Sequence, residues 1–144
     1  MEDLQKITKI AFASEFTFYL KAHFFHWNVE GPLFKQFHDL FGDIYEEVYD
    51  SIDPFAENIR KLGAYTPGSY TRFSALSQLA EETKIVPAEQ MTAELLEDSD
   101  MMVHLLKRNF DAATAAGEEG LADFMAGRMD AHRKHSWMLR ATLK

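Results

Sequence analysis

The sequence predicts an all-α protein, a four-helix bundle in which one long connection carries a short extra helix. Apolar residues recur at steps of three and four over long stretches, and no stretch alternates cleanly as a strand would. Only seven glycines and four prolines interrupt 144 residues. This length suits a single domain, and neither a repeat nor a linker divides residues 1–144.

Each helix is bounded by residues that start or stop helices. Gly31-Pro32 ends the first helix, whose apolar residues cover more than one side, and Gly63 ends the second, which has the clearest apolar stripe. Residues 64–87 form the long connection, which is typical of a bundle with one crossover. The predicted helices are Asp3–Asn28, Leu33–Leu62, a short helix over Phe73–Glu82, Thr92–Ala116 and Glu118–Leu143.

The composition excludes several classes of site and partner. With no cysteine, the chain has no disulfide, thiolate nucleophile or iron–sulfur cluster, so a metal site must use His, Asp and Glu. Those ligands suit iron, manganese or zinc. The net charge of −8 argues against nucleic acid as the main partner and favours the attraction of cations.

The sequence pattern predicts neither a membrane-spanning segment nor a secretory one. Its longest apolar runs are only a few residues, so no transmembrane helix is predicted. The N-terminus lacks the basic segment and apolar core of a signal peptide, which predicts a cytoplasmic protein.

Acidic residues on the second helix form the most suggestive pattern for a metal site. None of the six histidines has a glutamate three residues before it, so the in-bundle di-iron motif is missing. The acidic residues form a stripe on the side of the helix opposite its apolar stripe, and His38 lies at the edge of the acidic stripe. The acidic stripe consists of Glu46, Asp50, Asp53 and Glu57. Two interpretations stay open, a solvated outer face or a face that completes a metal site against another subunit.

A longer motif resembles the Dps (DNA-protection-during-starvation) miniferritin family. Residues 23–34 read HFFHWNVEGPLF, with His38 twelve residues after His26 and Asp53-Pro-Phe-Ala-Glu57 beginning fifteen residues later. The resemblance implies a ferritin-like bundle that assembles through two-fold dimers into a hollow dodecamer.

The resemblance also implies an activity and a set of ligands. Family members oxidise ferrous iron with hydrogen peroxide or oxygen and store the ferric product, which protects against oxidative damage. His26 and His38 of one subunit, with Asp53 and Glu57 of its partner, would form the ferroxidase site, where zinc is a possible substitute for iron. Trp27 would lie beside this site as an electron donor, or serve only as an interface aromatic.

Two residues depart from the family pattern. Many members carry an aspartate ligand where this chain has Gly42, so we expect a weaker second iron or a water in that place. Pro54 lies inside the second helix and disfavours helical geometry at Asp53, which predicts a kink or a displaced ligand. The alternative function is therefore a catalytically weakened Dps-like shell with a structural or DNA-associated role.

The remaining expectations concern DNA and the route of iron. Family members that bind DNA often use a basic tail, and the segments outside the predicted helices here are short, so we expect weak or absent DNA binding. His132 and His135 are interpreted as part of a basic end of the last helix. Acidic residues near the start of that helix line pores for iron in the family, or simply complement the helix dipole. They are Glu118, Glu119 and Asp123.

Overall fold

The computed structural model describes all residues 1–144 and contains five α-helices. Four are long and one is short, and the short helix lies in the connection between the second and third long helices. This arrangement confirms the predicted fold class. The helices are α1 (Glu2–Asn28), α2 (Phe34–Lys61), α3 (Tyr70–Leu76), α4 (Ala88–Ala115) and α5 (Glu119–Thr142).

The predicted span of the short helix is wrong at both ends. The Ser69 side chain accepts a hydrogen bond from the Arg72 backbone N–H and caps the helix, so α3 begins at Tyr70. It ends at Leu76 because Ser77 is extended, with a ψ of 137°. The next helix begins four residues earlier than predicted, directly after Pro87, whose fixed φ suits a helix start.

The core lies between the four long helices. α1 packs against α2 and α4, and α4 packs against α5. Residues 11–15 of α1 are all buried, which confirms that this helix is covered on more than one side. The largest side chains without exposure come from every long helix and include Phe18, Phe25, Phe41, Phe55, Leu95, Met102, Leu106, Met125 and Leu139.

Helix α2 continues through Pro54 without interruption. The proline ring removes one backbone hydrogen bond, and the Asn58 side-chain amide donates to the Pro54 carbonyl at 2.9 Å one turn later. Because the helix is continuous, Asp53 lies one turn before Glu57, and both side chains are exposed on the same side of α2. The expected displacement of Asp53 by Pro54 does not occur.

None of the five helices combines the length and the apolar character that a membrane crossing requires.

Candidate metal centre

Two imidazoles meet where α1 ends and α2 begins. The rings of His26 and His38 stack with centroids 3.8 Å apart and an angle of 18° between planes. Each Nδ1 lies 2.7 Å from the other residue's backbone carbonyl oxygen. A carbonyl only accepts, so both Nδ1 atoms carry the proton and donate. Both Nε2 atoms are left with a free lone pair, and the imidazole pair (His26 and His38) presents two oriented metal donors.

Gly42 makes room for this pair. A Cβ at position 42 would lie 3.1 Å from both Cε1 and Nδ1 of His26, closer than ordinary van der Waals contact. The His26 ring therefore packs directly against the backbone at Gly42, and the expectation of an empty ligand position there stays a prediction. An aspartate there requires that ring to move.

The carboxylate pair (Asp53 and Glu57) lies on the same helix but far from the imidazole pair. Both carboxylates are exposed and one helical turn apart, so both project from one face. Fifteen residues separate His38 from Asp53, which is about 22 Å along an α-helix. No three His, Asp or Glu side chains of one chain converge on a possible metal position. One chain thus brings together the two imidazoles and, separately, the two carboxylates, but not all four.

Aromatic side chains continue from the imidazole pair along α1 and α2. The Tyr45 ring lies 5.1 Å from His26 and stacks on His23 at 3.7 Å with an angle of 9°. Burial, with the neighbouring imidazole of His26 as a second cause, lowers the pKa of His23. The Trp27 ring lies 3.9 Å from His23 and is 58% exposed. Trp27 thus neighbours the imidazole pair through His23.

An apolar groove of about 960 Å³, lined in part by Trp27, opens between α1 and α3. Phe16, Phe24 and Phe73 line it, together with the exposed side chain of Leu20. At its edge Lys21 is buried and pairs with Asp98 at 2.9 Å and Glu94 at 3.3 Å. Burial raises the pKa of Asp98, although Lys21 acts against it.

The comparisons with known proteins agree with the observed fold. A family model described as a ferritin-like domain matches residues 6–144. DNA protection during starvation protein 2 of Bacillus anthracis is 33% identical over 125 residues, which cover 87% of this chain and 86% of that protein. The chain belongs to the Dps group of ferritin-like proteins.

Solved Dps structures superpose closely on this Dps chain. Dps from Thermosynechococcus elongatus matches with a TM-score of 0.96 at 26% identity, over 99% of this chain and 91% of that one. Dps from Vibrio cholerae, described as a member of a superfamily of ferritin-like diiron-carboxylate proteins, has a TM-score of 0.94 at 26% identity. That match covers 99% of this chain and 90% of the other.

A buried ion network inside the Dps bundle was missed by the sequence analysis. It joins α1, α2 and α5 and consists of Glu15, Glu47, Arg128, His132 and His135. Arg128 lies between the two carboxylates and donates to Glu15 at 3.3 Å and to Glu47 at 3.2 Å. His132 and His135 lie in α5 as expected, but both are buried and bind carboxylates, so they do not serve only as part of a basic helix end. His132 Nε2 lies 2.6 Å from Glu15, and His135 Nε2 lies 2.7 Å from Glu47.

The network holds its carboxylates ionised. Burial alone would raise the pKa of Glu47, but hydrogen bonds from His135 and Arg128 outweigh it and lower the pKa to about 2. In the same way, His132 and Arg128 lower the pKa of Glu15 against the effect of burial. Burial lowers the pKa of His135, so its neutral ring donates to Glu47.

We expect acid to destabilise the Dps fold through this network. A group with a lowered native pKa stabilises above its unfolded pKa and loses that effect as the pH falls. The contribution of His135 to the stability of the fold is therefore complete above pH 6.5 and declines below it. The contribution of Glu47 declines between pH 4.5 and about pH 2. Thermal unfolding followed by circular dichroism without iron should show the melting temperature falling from pH 7 to pH 3. The variant Glu47→Gln should flatten the part of this dependence below pH 4.5, and an equal slope in both proteins in that range would contradict the assignment.

The predicted pore residues lie at the start of α5. Glu118 precedes the helix and is half-buried, whereas Glu119 and Asp123 are exposed. Glu118 and Asp123 line a small hollow together with Pro54 and Lys61 of α2. Their role in a pore stays a prediction.

Proposed function

We propose that this Dps protein oxidises Fe(II) and stores the ferric product, using a site shared between two chains. The observation that carries the proposal is the arrangement along α2. Two imidazoles with free Nε2 atoms lie near its beginning, and two exposed carboxylates lie about 22 Å further along. Neither pair is a complete site for a metal ion, but their donors are complementary.

A two-fold contact between two copies of α2 brings the pairs together. In such a contact residue i meets residue j, and j meets i. If His38 of one copy faces Asp53 of an antiparallel partner, the axis passes near the midpoint between them, at Tyr45 and Glu46. The exposed side chains of Tyr49 and Trp27 and the groove beside α3 are apolar surface for a second copy to cover.

The ligand types suit ferrous iron as the substrate. Asp53 and Glu57 are hard anionic donors that stabilise the product Fe(III) more than Fe(II), which favours oxidation. The neutral imidazoles of His26 and His38 bind the divalent ion and are held in place by their Nδ1 hydrogen bonds. The net charge of −8 attracts cations to the protein. The diiron-carboxylate description of the Vibrio cholerae structure supports iron as the metal.

The finer features follow the family pattern. We propose hydrogen peroxide or oxygen as the oxidant, a dodecamer as the storage shell and the cytoplasm as the place of action. Zinc would compete for the same four ligands. We also propose that Trp27 lies beside the site, as the resemblance implies, and its contact with His23 supports this.

One observation favours a weaker alternative, a Dps-like shell with a structural or DNA-associated role. Gly42 has no side chain to supply another ligand, and the His26 ring packs against it, 3.1 Å from where a Cβ would lie. The site therefore has four protein ligands for iron, and a second ion is held less firmly than the first.

The test is Fe(II) oxidation by the metal-free protein, with peroxide added anaerobically and ferric absorbance followed. We expect oxidation faster than in buffer and a ferric product that stays in solution. Oxidation at the buffer rate with precipitation would contradict the proposal and favour the shell. DNA retardation in gels that weakens with salt would then support the DNA-associated role.

Replacement of Gly42 by alanine tests the contact with the His26 ring. In a helix interior, alanine stabilises the folded protein by about 0.5–1 kcal/mol relative to glycine. Gly127, inside α5 with open space around its Cα, is the matched control, and Gly127→Ala should raise the melting temperature. Gly42→Ala should give no such gain and should weaken Fe(II) binding several-fold, because the new Cβ pushes the imidazole aside. An equal gain with unchanged binding would contradict this account.

A further inference from the structure

Three of the five tyrosines gather around His23, beside the imidazole pair. Tyr19 lies 5.1 Å from Tyr49 and 6.3 Å from Tyr45, measured between ring centroids. Only one phenol of this cluster has a base as its partner, since the Tyr19 hydroxyl lies 2.9 Å from Nδ1 of His23. Tyr19 is half-buried, whereas Tyr49 is 57% exposed.

We propose that Tyr19, paired with His23, is a one-electron donor to the oxidant at the imidazole pair. The inference rests on the proposed oxidation of Fe(II) by peroxide. Rings in contact connect the two places: His26 lies 5.1 Å from Tyr45, Tyr45 stacks on His23, and His23 is hydrogen-bonded to Tyr19.

The need for a donor follows from the electron count. Peroxide takes up two electrons to form two waters, whereas one Fe(II) supplies one. The four ligands hold a first iron better than a second, because Gly42 has no side chain to supply a further ligand. A single Fe(II) would leave a hydroxyl radical, and a second electron from Tyr19 converts it to water.

The step balances with His23 as the proton acceptor. Peroxide, Fe(II), Tyr19, neutral His23 and two protons from solvent give Fe(III), two waters, the neutral Tyr19 radical and protonated His23. A phenol with an ordinary pKa of about 10 keeps its proton at neutral pH, so its oxidation needs a nearby base. This requirement selects Tyr19 over Tyr45 and Tyr49, because only its hydroxyl is bonded to an imidazole.

The test uses the assembled protein with one Fe(II) per site and one equivalent of peroxide, freeze-quenched for electron paramagnetic resonance. We expect a tyrosyl radical in the wild type. Tyr19→Phe should lower this signal several-fold and raise the yield of spin-trapped hydroxyl radical. His23→Phe should do the same, because it keeps a ring against Tyr45 but removes the proton acceptor. Tyr65→Phe is the control, since Tyr65 is 83% exposed and packs under Arg60.

The outcomes separate this inference from the proposed function. If wild-type protein oxidises Fe(II) no faster than buffer, the proposed function fails and the inference fails with it. If oxidation is fast but the radical is absent, lies on Trp27 or persists in Tyr19→Phe, only the inference is overturned.

Discussion

Replacement of His26 by alanine is expected to lower the rate of Fe(II) oxidation by about a hundredfold or more. Loss of a group that merely orients a metal ligand costs up to that factor, and His26 is itself a proposed ligand. Its Nδ1 donates to the His38 carbonyl while the His38 Nδ1 donates to the carbonyl of His26. The substitution removes one metal donor and the ring that stacks on His38, while the backbone carbonyl that accepts from His38 stays. The measurement is ferric absorbance after anaerobic addition of peroxide.

The matched control is His104→Ala, which removes an exposed histidine on α4. We expect this variant to oxidise iron at the wild-type rate. Equal rates in His26→Ala and the wild type would contradict the assignment of the imidazole pair, whatever the source of the activity.

The largest expected effect on stability comes from Arg128→Met. Arg128 is buried and holds the carboxylates of Glu15 and Glu47, and Glu15 has no exposure at all. Removal of one partner of a buried pair costs about 3–5 kcal/mol, because the other charge stays buried without compensation. We expect the variant to unfold at much lower urea concentration, or to accumulate as insoluble protein.

Arg133→Met is the control for this substitution, since Arg133 is exposed on the same helix. The double variant Arg128→Met with Glu15→Gln should recover part of the lost stability, because the uncompensated charge is removed as well. Equal unfolding midpoints for the Arg128 and Arg133 single variants would show that the buried ion network does not stabilise the fold.

Helix periodicity was enough to predict the architecture, because long amphipathic segments have few alternative arrangements. The apolar stripe of α2 predicted that Phe41, Ile44 and Val48 would be buried, and they are. The short helix was misplaced because its start depends on a single side-chain cap at Ser69, which periodicity does not detect. Proline tends to break a helix, yet α2 continues through Pro54. The packing of the flanking turns therefore overrides this local preference.

The site was predicted only as far as residues lie close in sequence or match a motif. His26 and His38 were singled out by the motif, but their reciprocal hydrogen bonds depend on how α1 meets α2. The buried ion network joins residues more than 80 positions apart, so no local pattern could reveal it as a whole. Its charged residues resemble surface residues in sequence, and only the placement of all the helices makes them interior. A histidine and an arginine one turn apart on α5 were the available signal.

The central claim is that one ferroxidase site uses donors from two chains, and mixing two inactive variants tests it most directly. In a two-fold pair of His26→Ala with Asp53→Ala, one of the two sites combines intact imidazoles with intact carboxylates. The other site carries both substitutions. After joint unfolding and reassembly at equal amounts, half of the pairs are mixed, so we expect about a quarter of the wild-type rate. A mixture no more active than either variant alone would contradict the shared site.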